Sequence, residues 1–353
     1  MSPLEISTYD KAGVNIKKIR STQKNIGKMI FESYSFQEIG KIVSGFGHYS
    51  GLINIGNHTL ALHTDGVGTK VLVAQQMKCF DTIGIDCIAM NVNDIICTAA
   101  EPFAFVDYIG LKKIDDELVK KIMKGLIAGA KIAKTAIVGG ETAVIPEILA
   151  GNNDQMFDLA GTAIGIIQNK RLILGNNIKI GDIILGLESS GLHSNGYTLA
   201  RKVLSKYPID EIPEFLTQSV GEELLIPTKI YVQPIMELIR DRKVTVHGLA
   251  HITGGSFTKL KRLNNKVRYN LYNLFPPFGI FKQIQKDGNI DVKEMYRTFN
   301  MGIGFCIILP KANVDKTISI IEKNKIKVYQ IGEVDSKGNG NVIGKIGNKK
   351  YRL

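Results

Sequence analysis

The hydrophobic positions of this chain alternate between short continuous runs and the three- and four-residue spacing of helices. The apolar runs predict strands at 59–62, 103–109, 135–138, 157–167, 182–187 and 302–309. Helical spacing of apolar residues predicts helices at 81–100, 115–134, 228–241 and 314–325, with a further helix beginning at Tyr197. Strands thus alternate with helices, and glycine-rich loops follow several of the strands. The pattern predicts an α+β fold made of two α/β halves.

A polar stretch interrupts this alternation between Gln168 and Gly181, where asparagine, lysine and arginine replace apolar residues. A chain of 353 residues is long for one domain, and two domains are the usual arrangement at this length. We therefore expect an N-terminal domain over 1–170 and a C-terminal domain over 171–353.

Composition narrows the class of protein. Hydrophobic residues make up 44% of the chain and charged residues 22%, which is typical of a globular protein with a core. No apolar run has the length of a membrane span, and residues 1–9 lack the basic and apolar segments of a secretory signal. We therefore expect a cytoplasmic protein with no membrane contact. None of the four cysteines forms a C-x-x-C pair, which argues against a zinc site or a disulfide framework.

The formal net charge of +12 raises the question of a nucleic-acid partner. However, the lysines are dispersed, few aromatic residues lie among them, and the chain has no Trp to stack on bases. We therefore expect no nucleic-acid partner. The positive charge instead favours phosphorylated small molecules.

The segment from Thr64 to Lys70 combines a carboxylate, two glycines, hydroxyl groups and an ammonium group after a predicted strand. Its glycines allow successive backbone N–H groups to converge on an anion. Lys70 can contact phosphate, and Asp65 can hold a divalent ion that bridges phosphates. A hairpin turn is the alternative, since Asp-Gly is a common turn dipeptide. These residues alone leave both interpretations open.

Two further acidic residues have comparable settings, Asp94 on a predicted helix and Glu141 after Gly139-Gly140. If these loops converge, three carboxylates would repel one another unless a cation lay among them. Mg²⁺, with phosphate oxygens completing its octahedron, suits such a site. Each residue also has a structural explanation, in which Asp94 caps or faces solvent and Glu141 opens a helix after a glycine turn.

The second half carries a loop of small and hydroxyl residues, Ser189–Gly196, that leads into a predicted helix. Its glycine spacing matches a P-loop, but Tyr197 stands where the lysine is required, so a Walker ATP site is excluded. The loop can still bind phosphate through backbone N–H groups, and His193 can titrate near neutrality. His251 is a candidate for substrate contact or proton transfer, with a structural role as the alternative. Arg297 suits either phosphate or a surface salt bridge.

Taken in order, these motifs resemble the phosphoribosylformylglycinamidine cyclo-ligase family, also called aminoimidazole ribonucleotide synthetases. Its wider superfamily includes selenophosphate synthetase and thiamine-monophosphate kinase. The resemblance runs from Tyr9 to about Phe305 and so covers nearly the whole chain. It is carried by segments 9–14, 64–70, 81–86, 93–94, 139–142, 189–196, 226–232, 250–255 and 295–300.

The resemblance implies ATP-dependent closure of the imidazole ring in purine biosynthesis. ATP would phosphorylate the formyl amide oxygen of a ribonucleotide substrate, and an amidine nitrogen would then attack the activated carbon. It also implies an N-terminal half that forms the ATP site and the interface of a homodimer, with the C-terminal half packed against it.

The resemblance further implies roles for individual residues. Those around ATP would be Gly45, Gly47, Thr64, Asp65, Lys70, Gly139 and Glu141, with Mg²⁺ held by Asp65, Asp94 and Glu141. Those toward the ribonucleotide would be Ser190, His193, Asn195 and Arg297. Those that match catalytic positions would be Asp94, His251 and Lys70. The chain departs from the family at His48 and Tyr49, where small or apolar residues are usual, so we expect a different entrance to the ATP site.

Overall fold

The computed structural model of the chain describes residues 13, 16–151, 153–168 and 171–353. The motif at 9–14 lies outside these residues apart from Gly13, and Asn169 and Lys170 at the expected domain boundary lie outside them as well. The α-helices of the described part are α1 (Ile16–Ser33), α2 (Val71–Met77), α3 (Ile83–Ile96), α4 (Asp116–Ala133), α5 (Tyr197–Leu204), α6 (Val220–Leu225), α7 (Val232–Arg240), α8 (Gly279–Asp287), α9 (Val292–Thr298) and α10 (Val314–Lys323). Its strands are β1 (Lys41–Ser44), β2 (Gly51–Ile55), β3 (His58–Gly66), β4 (Ala100–Leu111), β5 (Ala136–Val144), β6 (Phe157–Ile167), β7 (Ile183–Glu188), β8 (Gly248–His251), β9 (Val267–Leu271), β10 (Ile303–Leu309), β11 (Val328–Lys337), β12 (Val342–Ile346) and β13 (Lys349–Arg352).

The first six strands form one sheet in the order β1-β2-β3-β6-β4-β5. The β4–β5 pair is parallel and the other pairs are antiparallel. Along β6 every second side chain is buried, because α3 packs against one face of the sheet. This alternation matches the strand predicted at 157–167, which is confirmed with the same bounds.

Two glycines allow α3 and α4 to pack in close contact on that face. A methyl group built on Gly84 of α3 would lie 2.2 Å from the amide nitrogen of Leu126 in α4. A methyl group on Gly125 of α4 would lie 2.4 Å from the carbonyl oxygen of Asp81. Because both obstacles are backbone atoms, a larger residue at either position would force the helices apart. The packing therefore fixes the position of α3.

The remaining strands form a second sheet in the order β13-β12-β9-β11-β7-β10-β8. Every residue of β10 is buried, as are the first five of β7. A strand that is covered on both faces has no alternation, which explains the continuous apolar run predicted at 302–309. The two sheets, each accompanied by helices, confirm the prediction of an α+β fold in two halves.

Helix α3 also holds the two halves together. Four of its polar or sulfur-containing side chains, three or four residues apart, lie along one stripe of the helix. They are Asp86, Met90, Asn93 and Cys97. Each accepts a hydrogen bond from the C-terminal half, the donors being on Thr228, Asn195, Tyr231 and His251. One face of α3 therefore belongs to the N-terminal core, and another forms the junction.

Two strand predictions differ from the structure. Strand β3 continues to Gly66 rather than ending at Leu62, so Asp65 lies inside a strand near its end. Strand β5 runs through Gly139-Gly140-Glu141, which makes the predicted loop at this place wrong. The parallel ladder with β4 pairs Glu141 with Tyr108 and fixes the glycines in extended backbone. No helix in the described ranges is both long and apolar enough to cross a membrane.

Candidate active site

The segment that follows Asp65 is a strand-to-helix connection. The Val67 amide bonds to the Leu159 carbonyl at 2.9 Å, and a 3₁₀ turn over Gly68–Lys70 then leads into α2. Gly68 has a φ of +72°, a left-handed conformation that favours glycine. The hairpin alternative is therefore wrong, because the chain continues into a helix rather than returning as the neighbouring strand.

Asp94 lies at the centre of a buried polar cluster between the two halves. Its Oδ1 accepts a hydrogen bond of 2.7 Å from Nδ1 of His251 on β8. Its Oδ2 lies 3.5 Å from Nε2 of His63 on β3. The other ring nitrogen of His251 faces the Asn93 amide at 3.4 Å, which fits a neutral imidazole that donates from Nδ1. Neither Asp94 nor His251 is open to solvent, so the predicted alternative of a solvent-facing Asp94 is wrong.

Charges around Asp94 keep it ionised. Burial opposes ionisation, but Lys259, His63 and the hydrogen bond from His251 outweigh it and hold the pKa of Asp94 well below its usual value. The pKa of Asp65 is raised instead, first by burial and then by the negative charge of Asp94. The pKa of His251 is lowered by burial, although Asp94 acts in the opposite direction. The site therefore combines an ionised Asp94 with a second carboxyl group, Asp65, whose ionisation would be favoured by added positive charge.

Lys259 supplies part of that positive charge, and sequence reasoning did not single it out. It is buried, donates a hydrogen bond to the Thr253 hydroxyl, and its ammonium nitrogen lies 5.6 Å from the centre of the Tyr49 ring. Burial lowers its pKa, while Asp94 and then Asp65 raise it. In the sequence, only its position three residues after the 253–256 loop points to this role. That position does not distinguish Lys259 from the other dispersed lysines.

A cleft of about 650 Å³ opens beside this cluster. The predicted ATP residues Gly45, Gly47 and Thr64 line it together with His63, and Arg262 reaches it from the C-terminal half. The guanidinium of Arg262 lies 6.0 Å from the Tyr49 ring centre. His48 and Tyr49, where the resemblance leads us to expect a different entrance, are part of its wall. The structure thus brings the glycine loop, the end of β3 and a cationic side chain to one cavity.

Lys70 does not point into this cleft. Its ammonium nitrogen lies 2.8 Å from Oδ2 of Asp86, and it donates to the carbonyl oxygens of Ile226 at 2.7 Å and His193 at 3.2 Å. An ammonium group has three protons, and these three acceptors use all of them. The expected contact of Lys70 with phosphate is therefore corrected: this side chain is fully buried and committed to other partners.

Glu141 and Gly139 are also not brought to the cluster. In the sheet, Glu141 is in line with Tyr108, Ala160 and Gly66, whereas Asp65 belongs to the adjacent row. Side chains of adjacent rows point to opposite faces, and three strand steps of roughly 4.8 Å give about 14 Å between the backbones. Within one chain Glu141 thus cannot share an ion with Asp65. The acidic residue in the same row as Asp65 is Asp107, with Gly161 between them.

The loop after β7 is held in a defined conformation by its own side chains. His193 has a φ of +63° and accepts a hydrogen bond of 3.1 Å from the Ser190 amide at Nε2. Its pKa is lowered well below the usual value by burial and by nearby positive charge, so its ring is neutral. The Ser190 hydroxyl donates to the Pro227 carbonyl at 2.6 Å, and the Asn195 amide faces the Met90 sulfur.

The motif at 295–300 meets the same loop. Asn300 donates to the Gly191 carbonyl at 2.8 Å and accepts from the Ser189 hydroxyl at 3.1 Å. Beside this contact a second cavity of about 540 Å³ is lined by Ser190, Gly191 and aromatic residues. Arg297 lies on α9 ahead of Asn300, and its side chain is partly exposed. Two predicted substrate motifs are therefore adjacent in space.

No cluster of three or more metal-binding side chains occurs among the residues that the structure describes. Asp65 and Asp94 nevertheless fit a cation whose coordination is completed by phosphate oxygens, because burial and then the negative charge of Asp94 raise the pKa of Asp65, and a cation would offset both. Oδ1 of Asp65 accepts from the Gly66 amide at 2.8 Å, which leaves Oδ2 for such a cation.

Comparison with known proteins shows the family to which the chain belongs. The family model described as AIR synthase related protein, N-terminal domain, matches residues 47–167, and the corresponding C-terminal domain matches residues 179–345. The chain belongs to the AIR synthase-related family. The expected domain boundary at 170/171 falls in the stretch between the two matched regions.

The similarity to individual relatives extends over nearly the whole of this chain. A protein of Methanocaldococcus jannaschii named phosphoribosylformylglycinamidine cyclo-ligase is 48% identical over 344 residues, covering 96% of both chains. A protein of Pyrococcus furiosus with the same name is 46% identical, covering 94% of this chain and 96% of its own. The structure of AaThiL complexed with AMPPCP and TMP has a TM-score of 0.63 at 14% identity, covering 96% of this chain and 97% of that one.

Proposed function

We propose that this AIR synthase-related enzyme cyclises formylglycinamidine ribonucleotide to aminoimidazole ribonucleotide, with release of ADP and phosphate. The observation that carries the proposal is the agreement between near full-length relatives of that name and a site that joins the Asp65 segment to the Ser189–Gly196 loop. The chain is a C–N bond-forming ligase of purine biosynthesis.

The chemistry requires a poor leaving group, the formyl amide oxygen, to be converted into phosphate. An amidine nitrogen then attacks the activated carbon, and the ring closes as phosphate leaves. The protein contributes orientation of the two substrates and compensation of phosphate charge, which are the main sources of rate in phosphoryl transfer. Arg262, which lines the cleft, and Lys259, which lies over the Tyr49 ring in its wall, are cationic groups that suit this task.

ATP would occupy the cleft lined by Gly45, Gly47 and Thr64. Solved structures of the same fold that contain ATP or AMPPCP support its use as co-substrate. Asp65 and Asp94 would hold Mg²⁺, which, when bound, neutralises the phosphates. Glu141 is left out of this set, because it lies on the opposite face of the sheet in one chain.

His251 acts through Asp94 in this proposal. Its hydrogen bond fixes the orientation of the carboxylate, and its burial prevents direct contact with a substrate. The ribonucleotide would bind at the Ser190–Asn195 loop, with Arg297 toward its phosphate. The expected substrate contact of His193 is corrected here, because His193 is as deeply buried as His251 and instead supports the loop by accepting from the Ser190 amide.

A homodimer built through the N-terminal halves completes the proposal. Leu62 and Tyr108 lie on the sheet face opposite to α3 and expose 41% and 38% of their surface. Val138 on the edge strand β5 exposes 65%. A sheet face that exposes apolar side chains, as this one does in the described part of the chain, is typical of an interface, and a second copy of this chain is the occupant that fits the family resemblance. We place the enzyme in the cytoplasm, with its pathway.

The decisive experiment incubates the purified chain with formylglycinamidine ribonucleotide, ATP and Mg²⁺. We expect equal amounts of aminoimidazole ribonucleotide and ADP, and none of either product when the ribonucleotide is left out. ADP formation without the ring-closed product would contradict the proposal and indicate a kinase-type relative.

A further inference from the structure

The strongest feature that the proposed function does not use is a buried ion pair at the junction of the two halves. Lys70 and Asp86 are separated by 2.8 Å, and neither side chain has any exposed surface. Both belong to the N-terminal half, Lys70 just before α2 and Asp86 in the first turn of α3. Their remaining partners belong to the C-terminal half.

Lys70 contacts two separate segments of that half. Its ammonium group donates to the carbonyl oxygens of His193 and Ile226, at 3.2 Å and 2.7 Å. The first of these carbonyls belongs to the residue with the left-handed φ of +63°, a conformation that a non-glycine residue rarely adopts without support. Lys70 therefore stabilises the backbone of the loop at the point where it is most strained.

Asp86 binds the same two segments from the other side. Its Oδ1 accepts from the Thr228 amide at 2.8 Å, from the Thr228 hydroxyl at 2.6 Å and from the Ser194 hydroxyl at 3.0 Å. The pair and its partners thus form one network, in which the Lys70 ammonium group and Oδ1 of Asp86 have hydrogen-bond partners, and Oδ2 of Asp86 faces the ammonium group at 2.8 Å. Such a network is rigid, because each removed partner leaves a buried polar group unsatisfied.

A buried ion pair is weak evidence for stability, since the loss of hydration offsets the attraction, but it specifies geometry well. We propose that the Lys70–Asp86 pair is a positioning element that couples the ATP side to the ribonucleotide side. Lys70 ends the segment that begins at Asp65, so a displacement of that segment by a bound nucleotide would be passed to the His193 backbone through the Lys70 hydrogen bond. This inference rests on the proposed function.

The test compares the wild-type chain with the charge-neutral double variant Lys70→Met/Asp86→Asn. Calorimetry measures binding of a non-hydrolysable ATP analogue with and without formylglycinamidine ribonucleotide. We expect each ligand to strengthen binding of the other by about 5-fold or more in the wild type, a typical size for coupled sites. In the double variant this factor should fall to about 1, within roughly 2-fold.

The control removes an ion pair with the same 2.8 Å separation that is open to solvent, Arg268→Met/Asp335→Asn, and should keep the wild-type coupling. A purely structural role would lower the melting temperature and both affinities but leave the coupling factor unchanged, and that result overturns the inference. Wild-type chain with no coupling overturns it as well.

Ser194→Ala provides a milder variant, because it removes one hydrogen bond to Asp86 and the contact with the Thr228 hydroxyl but leaves both charges in place. If the double variant does not fold, a reduced coupling factor in Ser194→Ala supports the inference and an unchanged factor refutes it. Failure of the wild-type chain to form aminoimidazole ribonucleotide instead refutes the proposed function, so the two failures are distinguishable.

Discussion

Replacement of Asp94 by Asn is the sharpest test of the site. Asn is nearly isosteric and keeps an oxygen to accept the 2.7 Å hydrogen bond from His251, but it removes the negative charge. Loss of one preorganised group of this kind lowers the rate by about 100- to 1,000-fold. We expect kcat to fall by that factor, because the variant no longer binds the cation that neutralises the phosphates.

The effect on stability should be small and dependent on pH. A charge-assisted hydrogen bond becomes a neutral one, which costs about 1 kcal/mol, or about 2–4 °C in melting temperature. The pKa of Asp94 is held below its usual value, so its contribution is fully present above the unfolded pKa near 4. That contribution is lost as the pH falls through the folded pKa. The difference from wild type should therefore shrink in acid.

The assay measures formation of aminoimidazole ribonucleotide and ADP, together with thermal unfolding at pH 7 and in acid. Asp154→Asn is the matched control, since this carboxylate is 65% exposed and pairs with Lys113 on the surface. A folded Asp94→Asn variant with turnover near that of the control would refute the reasoning. It would remove Asp94 from both the metal site and the catalytic cluster.

Three further predictions follow from the packing, the histidines and the exposed sheet. Gly84→Ala should lower the free energy of unfolding by about 1–3 kcal/mol in urea titrations, whereas Gly139→Ala, with no atom within 4 Å, should not. Burial lowers the pKa of His193, so the free energy of unfolding should decrease below pH 6.5 by up to about 1.4 kcal/mol per pH unit. The variant His193→Asn should reduce this dependence on pH, and an unchanged dependence would contradict a neutral ring. Val138→Glu should convert a dimer to monomers in sedimentation experiments, and a persistent dimer would exclude this edge from the interface.

The regular elements with clear periodicity could be predicted from the sequence. Strand β6 has strict alternation, and α4 begins at an Asp115 cap and ends in basic residues, so both agree closely with the pattern. The Gly139-Gly140 pair wrongly predicts a turn, because glycine usually marks one and nothing local indicates that the pair lies in a strand beside β4. Sheet pairing is a long-range property, and the bounds of β5 depend on it.

The sequence predicts those parts of the candidate site that depend on neighbouring secondary-structure elements, but not those that depend on contacts between distant segments. Asp65 and Asp94 come together because β3 and α3 are neighbours, which a pattern of helix and strand can suggest. The role of Lys70 depends on Asp86 and on carbonyl groups more than 100 residues away, and no spacing rule reports these. The prediction that Glu141 joins Asp65 and Asp94 was wrong for a geometrical reason. A shift of one residue in strand register decides which face of a sheet a side chain occupies.

The junction stripe of α3 has a consequence for exchanging parts between relatives. Asp86, Asn93 and Cys97 each accept a hydrogen bond from a backbone amide of the C-terminal half. A chimera that joins this N-terminal half to a foreign C-terminal half would bury these groups against the wrong surface. Such chimeras should become functional only when the segment around Thr228 is transplanted together with α3. In this protein, therefore, the unit that can be exchanged is the helix with its distant loop rather than the domain.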